Sequence, residues 1–213
     1  WPDAAGIAAL WARSADEAGL PVRIAALRWD RALAMHGKAM PVLLGFAHHI
    51  GRSADLARRD SLLNRAAHDP YLKAEILLRY HVSAGEWGQA SDQARRVVTY
   101  LPADLGKRLR LADVLLQLGT PIAQAEAVAF LQTLRKHAPD AAGLLPSLGF
   151  GLIAVGDDDA AQTVIAALPE QRMDRRVGLL RLWAQARVDG NVAAERAIRR
   201  LIVGFCYTML EIS

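Results

Sequence analysis

Residues 71–104 read YLKAEILLRYHVSAGEWGQASDQARRVVTYLPAD and decide the expected fold. Apolar residues recur at helical spacing on each side of Gly85, which predicts two amphipathic helices that meet at this glycine. Glycine adopts the left-handed backbone conformation without a side-chain penalty, so it can end the first helix and let the chain reverse. Pro102 marks the end of the second helix. The stretch therefore predicts an antiparallel helix pair.

A glycine at the equivalent point recurs along the chain, at spacings of 32, 34, 34, 37 and 34 residues. The positions 11, 8, 7 and 4 residues before each glycine share one side of a helix, because their offsets follow the helical period. Only His81 and Arg108 interrupt this apolar or small set. The repetition predicts six helix pairs and no sheet. The glycines are Gly19, Gly51, Gly85, Gly119, Gly156 and Gly190.

Start signals follow two of these glycines. Thr120 can cap a helix that Pro121 opens, directly after Gly119. The carboxylates of residues 157–159 suit a helix N-terminus in the same way after Gly156. A calcium loop would need alternating ligands and a distal glutamate, so the acidic run predicts a helix cap and no metal site.

The pattern resembles the tetratricopeptide repeat, a helix-turn-helix unit of 34 residues. The copy at residues 71–104 carries small, apolar or proline residues where that family has them, and residues 142–175 add a second good copy. The first two copies lack the terminal proline, the fourth has about three extra residues, and the fifth has a short second helix. The matching residues are Leu77, Gly85, Ala90, Ala94, Val97 and Pro102, then Leu145, Leu148, Gly149, Leu152 and Ala161.

The resemblance implies an all-α fold, a right-handed superhelical solenoid of about six antiparallel helix pairs. We expect a single repeat domain over residues 1–213. Its approximate repeats are 5–36, 37–70, 71–104, 105–141, 142–175 and 176–213.

In tetratricopeptide proteins the first helices line a concave groove that binds peptides or partner proteins. The positions 11, 8, 7 and 4 residues before each glycine form an apolar stripe on each first helix. The resemblance therefore implies a groove on the side of each first helix opposite this apolar stripe. This groove is polar at one end and apolar at the other, which suits an amphipathic or extended peptide. Its candidate residues are Lys38, His48, His49, Glu75, Arg79, Leu109, Asp113, Phe150, Ile153 and Arg187, with Arg13, Asp16 and Glu17 in the first helix.

One variant of the family clamps a terminal carboxylate with Lys, Asn and Arg on adjacent first helices. Here Glu75 stands beside Arg79, and Leu109 beside Asp113. This departure from the clamp predicts no capture of a C-terminal carboxylate.

Composition and motifs predict that the chain is not an enzyme and holds no metal or cofactor. The single cysteine, Cys206, excludes an internal disulfide framework and a cysteine-based zinc site. His48 and His49 are adjacent, so on a helix their side chains point about 100° apart and chelate one metal poorly. No phosphate-binding glycine loop or nucleophile elbow is present.

Membrane insertion is not expected, because the longest uncharged stretch, residues 141–156, is shorter than a span and contains Pro146. No signal peptide is visible. The chain begins at Trp1, so we expect a processed protein or a fragment, and the compartment stays open between cytoplasm and periplasm.

The leading hypothesis is a noncatalytic scaffold that binds a protein or peptide in the groove. The alternative is a helical-repeat appendage of a larger bacterial enzyme or of a polysaccharide-export or secretion protein. A third, RNA binding, is disfavoured because the net charge is only +4 and no base-reading residues recur. The apolar segment 201–212 predicts self-association through an uncapped C-terminal helix.

Overall fold

The structure is a computed structural model that describes residues 3–169 and 174–205. These residues form helices joined by short turns, with no strand among them, which confirms the predicted all-α class. No helix in this part of the chain is both long and apolar enough to cross a bilayer. Cys206 and most of the apolar segment 201–212 lie outside the described residues.

The chain divides into two compact units, with the division after Tyr100. The helices of the first unit are α1 (Ala4–Glu17), α2 (Val22–His36), α3 (Met40–Gly51), α4 (Leu56–Arg65), α5 (Pro70–Ala84) and α6 (Trp87–Tyr100). Those of the second unit are α7 (Leu105–Leu118), α8 (Pro121–His137), α9 (Leu144–Val155), α10 (Asp158–Ala166), α11 (Arg175–Val188) and α12 (Val192–Phe205).

In the first unit, each odd-numbered helix packs against the next odd-numbered helix as well as against its own partner. Helix α1 contacts α2 and α3, and α5 contacts α3 and α6. Trp29, Phe46 and Tyr80 fill the core between these helices, where each is almost completely buried. The first helices α1, α3 and α5 therefore form a continuous row.

In the second unit, α9 is the central helix. It contacts α7 and α8, which precede it in the sequence, and α10, α11 and α12, which follow it. Gly151 of α9 lies where an added Cβ would come within 2.8 Å of a Val128 methyl group, which shows how closely α8 approaches. The sequence of α9 contains no charged residue, in keeping with a helix that is surrounded by others.

Short polar side chains start several helices. The Thr120 hydroxyl accepts a hydrogen bond from the Ala123 amide at 3.3 Å, and Asp157 accepts one from the Ala160 amide at 3.3 Å. These contacts satisfy amide groups that have no partner inside the helix. Both predicted caps are confirmed.

Five of the six predicted turn glycines have a positive φ, between +63° at Gly19 and +81° at Gly156. Such angles are left-handed and favour glycine. The prediction for Gly51 is wrong: this residue is the last of α3, and Ala54, with φ +49°, takes the left-handed conformation in that turn. A Cβ on Gly51 would lie 2.4 Å from the Tyr80 carbonyl oxygen. Gly51 is therefore required for the close approach of α3 and α5.

The predicted apolar stripe is mostly buried, and the position four residues before each glycine is buried in every pair. His81, one of its polar exceptions, is also buried, with Nδ1 2.5 Å from Glu86 Oε2. The guanidinium of Arg108 lies 5.3 Å from the centre of the Phe130 ring. Trp11, Met40 and Leu182 differ from the prediction because their side chains are exposed.

Candidate functional site

Asp16 of α1 joins two other helices through its carboxylate. Its Oδ1 lies 2.8 Å from Nδ1 of His49 in α3, and its Oδ2 accepts a hydrogen bond from Nε1 of Trp29 in α2 at 2.7 Å. The His49 and Asp16 side chains are only 9% and 10% exposed. Both oxygens of the carboxylate are thus occupied, and the imidazole ring of His49 is held in one orientation.

The protonation of this pair follows from its surroundings. Burial raises the pKa of the Asp16 carboxyl, but hydrogen bonds from His49 and Trp29, with the charges of His49 and Arg52, outweigh burial and leave the pKa below its ordinary value. An ionised carboxylate only accepts hydrogen bonds, so Nδ1 of His49 carries the proton in this contact.

The other ring nitrogen of His49, Nε2, is accessible to solvent. Among the described residues no side chain or backbone group bonds to it, and it is not one of the buried polar atoms that lack a partner. His49 therefore offers one polar atom to a ligand while Asp16 and Trp29 fix the ring from behind, as second partners orient histidines at binding sites.

A cleft of about 260 Å³ opens beside this histidine. It lies between the α1–α2 turn and the C-terminal end of α3. One wall is polar and the other is apolar. The polar wall consists of Asp16, His49, Arg52 and Ser53, and the remaining lining residues are Gly19, Leu20, Val22 and Ala25.

Local backbone geometry places both walls. Gly19, with φ +63°, ends α1, and the Leu20 amide donates to the Ala15 carbonyl at 3.0 Å, which closes the helix end. At the end of α3, the Ser53 hydroxyl donates to the Ile50 carbonyl at 3.1 Å. The ends of α1 and α3 therefore both border the cleft, and the backbone carbonyl groups of Ala15 and Ile50 already accept hydrogen bonds there.

His48 lies next to this cleft on α3 and is hydrogen-bonded through Nδ1 to the hydroxyl of Ser83 in α5. Burial lowers the pKa of His48, and the positive charges of Arg79, Arg13 and Arg52 lower it further, to about 4. His48 is therefore neutral at pH 7, and the surface around it is electropositive.

The structure brings together several residues that the sequence predicts for the groove. Asp16 and Arg13 of α1 lie close to His48 and His49 of α3, and Arg79 of α5 lies close to His48. Lys38 is exposed in the turn before α3, away from any described contact. Arg13, Asp16, His48, His49 and Arg79 thus form one cluster within the first unit, which Lys38 does not join.

Glu75 was expected at an open surface, but its side chain is fully buried and accepts a hydrogen bond from the Tyr71 hydroxyl at 3.1 Å. The reason is its position on α5, which packs against α3, α4 and α6. Glu75 therefore does not line the cleft.

In the second unit, Phe150 and Ile153 are each 1% exposed, so the expectation that they form an apolar binding surface is wrong. Both lie on the central helix α9, which contacts α7, α8, α10, α11 and α12. Leu109 is half-buried on α7.

Two predicted polar residues of the second unit are engaged in contacts between its helices. Asp113 accepts hydrogen bonds from the Ser147 hydroxyl at 2.8 Å and from Arg176 at 3.1 Å. Arg187 binds Asp158 at 2.8 Å and Asp159 at 3.0 Å. These contacts tie α7 to α9 and α11, and α11 to α10.

Sequence reasoning missed Arg52, Trp29 and Ser83 as members of the site. The signal for Ser83 was a polar residue 35 positions after His48, close to one repeat length. Arg52 and Trp29 carried no such signal, because their roles depend on how the α1–α2 turn and the end of α3 approach each other.

The described residues contain no group of three histidine, cysteine or acidic side chains that could hold a metal ion. No protein-family model, curated protein or solved structure matches this chain.

Proposed function

We propose that this chain is a noncatalytic protein-interaction scaffold that binds a segment of a partner protein on the first helices of its N-terminal unit. We further propose that each unit is a short array of tetratricopeptide type, with the right-handed superhelical packing of that family. The order of helix contacts supports this, since within each unit a first helix packs against its own partner and against the next first helix of that unit.

The observation that carries the proposal is the cleft beside His49. Its volume of about 260 Å³ is below the roughly 300–1,000 Å³ usual for small-molecule sites, so one or two side chains of a peptide fit better than a cofactor. Its walls combine an apolar lip at Leu20 and Val22 with a preorganised polar end. Such a combination is typical of a pocket that receives an anchor side chain.

The hydroxyl groups around the histidines favour recognition over nucleophilic chemistry. The Ser53 hydroxyl donates a hydrogen bond to the Ile50 carbonyl. The Ser83 hydroxyl is hydrogen-bonded to His48, which is the histidine without a carboxylate partner. A nucleophilic serine would instead contact Nε2 of the histidine that Asp16 orients. The arrangement therefore orients a hydrogen-bonding group without activating a nucleophile.

Site-directed photo-crosslinking tests the proposal. The photoreactive residue p-benzoylphenylalanine is placed at Val22, which is 72% exposed at the lip of the cleft, in cells that express the full chain. The matched control carries the same residue at Ile122, which is 83% exposed on α8 of the second unit. We expect discrete cross-linked partner bands from position 22 and only background from position 122.

Equal cross-linking from the two positions, or none from position 22 in a host that contains the native partners, would contradict the proposal. Circular dichroism of both labelled proteins establishes that they are equally folded. Both replaced side chains are exposed, so neither replacement removes a core contact.

A further inference from the structure

The charges around the cleft restrict the chemistry of what it can bind. Arg52 lines the cleft and is exposed, and no ion pair to it occurs among residues 3–169 and 174–205. Elsewhere in the first unit, Arg58 and Arg59 do pair with aspartates, at 3.6 Å and 2.8 Å. Asp16, which also lines the cleft, accepts hydrogen bonds from His49 and Trp29, and its charge interacts with that of Arg52. Asp16 makes no direct ion pair with Arg52, so the guanidinium donors of Arg52 are available to a ligand.

Two further arginines reinforce this potential. Arg13 and Arg79 act on His48 together with Arg52, and Asp16 opposes them there. Arg13 is held 3.6 Å from Glu17, but both side chains of that pair are well exposed, so the pair neutralises little of the field. An anionic group at the cleft therefore gains most from Arg52, which lines it, while Arg13 and Arg79 add positive charge around the neighbouring His48.

The hydrogen-bonding groups fit a carboxylate. Arg52 can donate two parallel hydrogen bonds, the geometry that guanidinium groups use for carboxylates. His49 lines the same cleft, and its Nε2 has no hydrogen-bond partner among the described residues. With both ring nitrogens protonated, His49 donates through Nδ1 to Asp16 and can donate through Nε2 to a carboxylate ligand.

From these observations we propose that the cleft binds the side chain of a glutamate or aspartate within the partner segment, held by Arg52 and by Nε2 of His49. The carbon atoms of that residue and of an apolar neighbour rest on Leu20 and Val22. This inference rests on the proposed function and specifies the partner's chemistry, an acidic residue next to an apolar one.

A titration followed by nuclear magnetic resonance tests the inference on the ¹⁵N-labelled full chain. The probe is N-acetyl-glutamate methylamide, and the matched neutral probe is N-acetyl-glutamine methylamide at the same ionic strength. Two resonances report on the cleft: the indole N–H of Trp29, which is bonded to Asp16, and Nε2 of His49. We expect saturable shifts of both resonances with glutamate only.

Two variants localise the effect. Arg52→Gln should weaken glutamate binding by about tenfold, since hydrogen bonds to charged groups contribute strongly to affinity. Arg96→Gln removes the same charge from an exposed site on α6 and should leave binding unchanged. Both residues are exposed, so both variants are expected to fold.

Equal shifts with the two probes, the absence of shifts, or no effect of Arg52→Gln would overturn the inference. Inorganic phosphate is the third probe, and saturable shifts as large as those from glutamate would also overturn it, because the site would then be a general anion site. Cross-linking from position 22 without glutamate binding would refute this inference alone. Glutamate binding without cross-linking would instead refute the proposed function.

Discussion

Asp16 Oδ1 and His49 Nδ1 lie 2.8 Å apart although 33 residues separate them in the sequence. That separation is one repeat length, so the contact joins neighbouring first helices, α1 and α3. Two other polar contacts have the same character: His48 with Ser83 joins α3 to α5 across 35 residues, and Asp113 with Ser147 joins α7 to α9 across 34. Three pairs of neighbouring first helices, two in the first unit and one in the second, are thus connected by a polar contact as well as by packing.

Replacement of Asp16 should destabilise the first unit. In Asp16→Asn the amide nitrogen cannot accept the hydrogen bond that His49 or Trp29 donates, so one buried donor loses its acceptor. We expect a loss of about 1–3 kcal/mol in the free energy of unfolding, measured by urea denaturation at pH 7. Asp92→Asn, at an exposed position of α6, is the matched control and should change stability by less than about 0.5 kcal/mol. Equal stability of the two variants would contradict the Asp16 contacts.

Acidification should also lower the free energy of unfolding through the protonation of His48. Its folded-state pKa of about 4 lies below the ordinary 6.5, so the unfolded chain takes up a proton first as the pH falls. The stability that neutral His48 contributes is therefore fully present above about pH 6.5 and is lost as the pH falls toward 4.

The size of this effect is about 3 kcal/mol at most, and it is measured by urea denaturation at pH 7.5 and pH 4.5. In His48→Gln the titrating group is gone, so the loss of stability between these two values should be smaller than in the unchanged chain. His68→Gln, at an exposed position before α5, should behave like the unchanged chain. Identical pH profiles for all three proteins would show that His48 is not held neutral.

A glycine at position 54, in the turn after α3, should stabilise the protein. Ala54 has φ +49°, a conformation that costs an alanine about 1–2 kcal/mol. Ala54→Gly relieves this strain but increases the freedom of the unfolded chain, so we expect a net stabilisation of about 0.5 kcal/mol in urea denaturation. Ala57→Gly, at an exposed helical position of α4, should instead destabilise by about 1 kcal/mol. Destabilisation by Ala54→Gly would mean that this turn is not left-handed.

Gly51 should not tolerate a methyl group. Its Cβ would lie 2.4 Å from the Tyr80 carbonyl oxygen and 2.7 Å from Ser83 Cβ, so α3 and α5 would have to separate. We expect Gly51→Ala to lower thermal stability and to cost about 1–3 kcal/mol. Gly88→Ala is the matched control on α6, where nothing lies within 4 Å of an added Cβ, and it should be neutral or stabilising. A neutral Gly51→Ala would contradict the close approach of these helices.

Much of the fold is predictable from the sequence because its determinants are local. Helical periodicity, the caps at Thr120 and Asp157, and five turn glycines act over a few residues. The prediction that Gly51 is a turn glycine was wrong because this glycine is needed for its close contact with the Tyr80 carbonyl group. The distance between two helices cannot be predicted from the sequence of either helix alone.

Burial of the groove residues was harder to predict for a related reason. An apolar side chain opposite the stripe is exposed only if no third helix covers it. Phe150 and Ile153 lie on α9, which other helices surround, and the uncharged sequence of that helix was the available signal. Around His49, the polar residues of the first helices were predictable, whereas the cleft and the part played by Arg52 depend on two helix ends meeting in space.

The central claim, that the first helices of the N-terminal unit bind partner proteins, is tested most directly by quantitative co-purification with paired charge reversals. Arg13→Glu with Arg52→Glu alters α1 and the end of α3, whereas Arg31→Glu with Arg96→Glu makes the same charge change at exposed positions of α2 and α6. We predict that proteins recovered with the unchanged chain are lost from the first double variant and kept by the second. Retention of every partner by the first variant, or equal loss from both while both remain folded, would contradict the account.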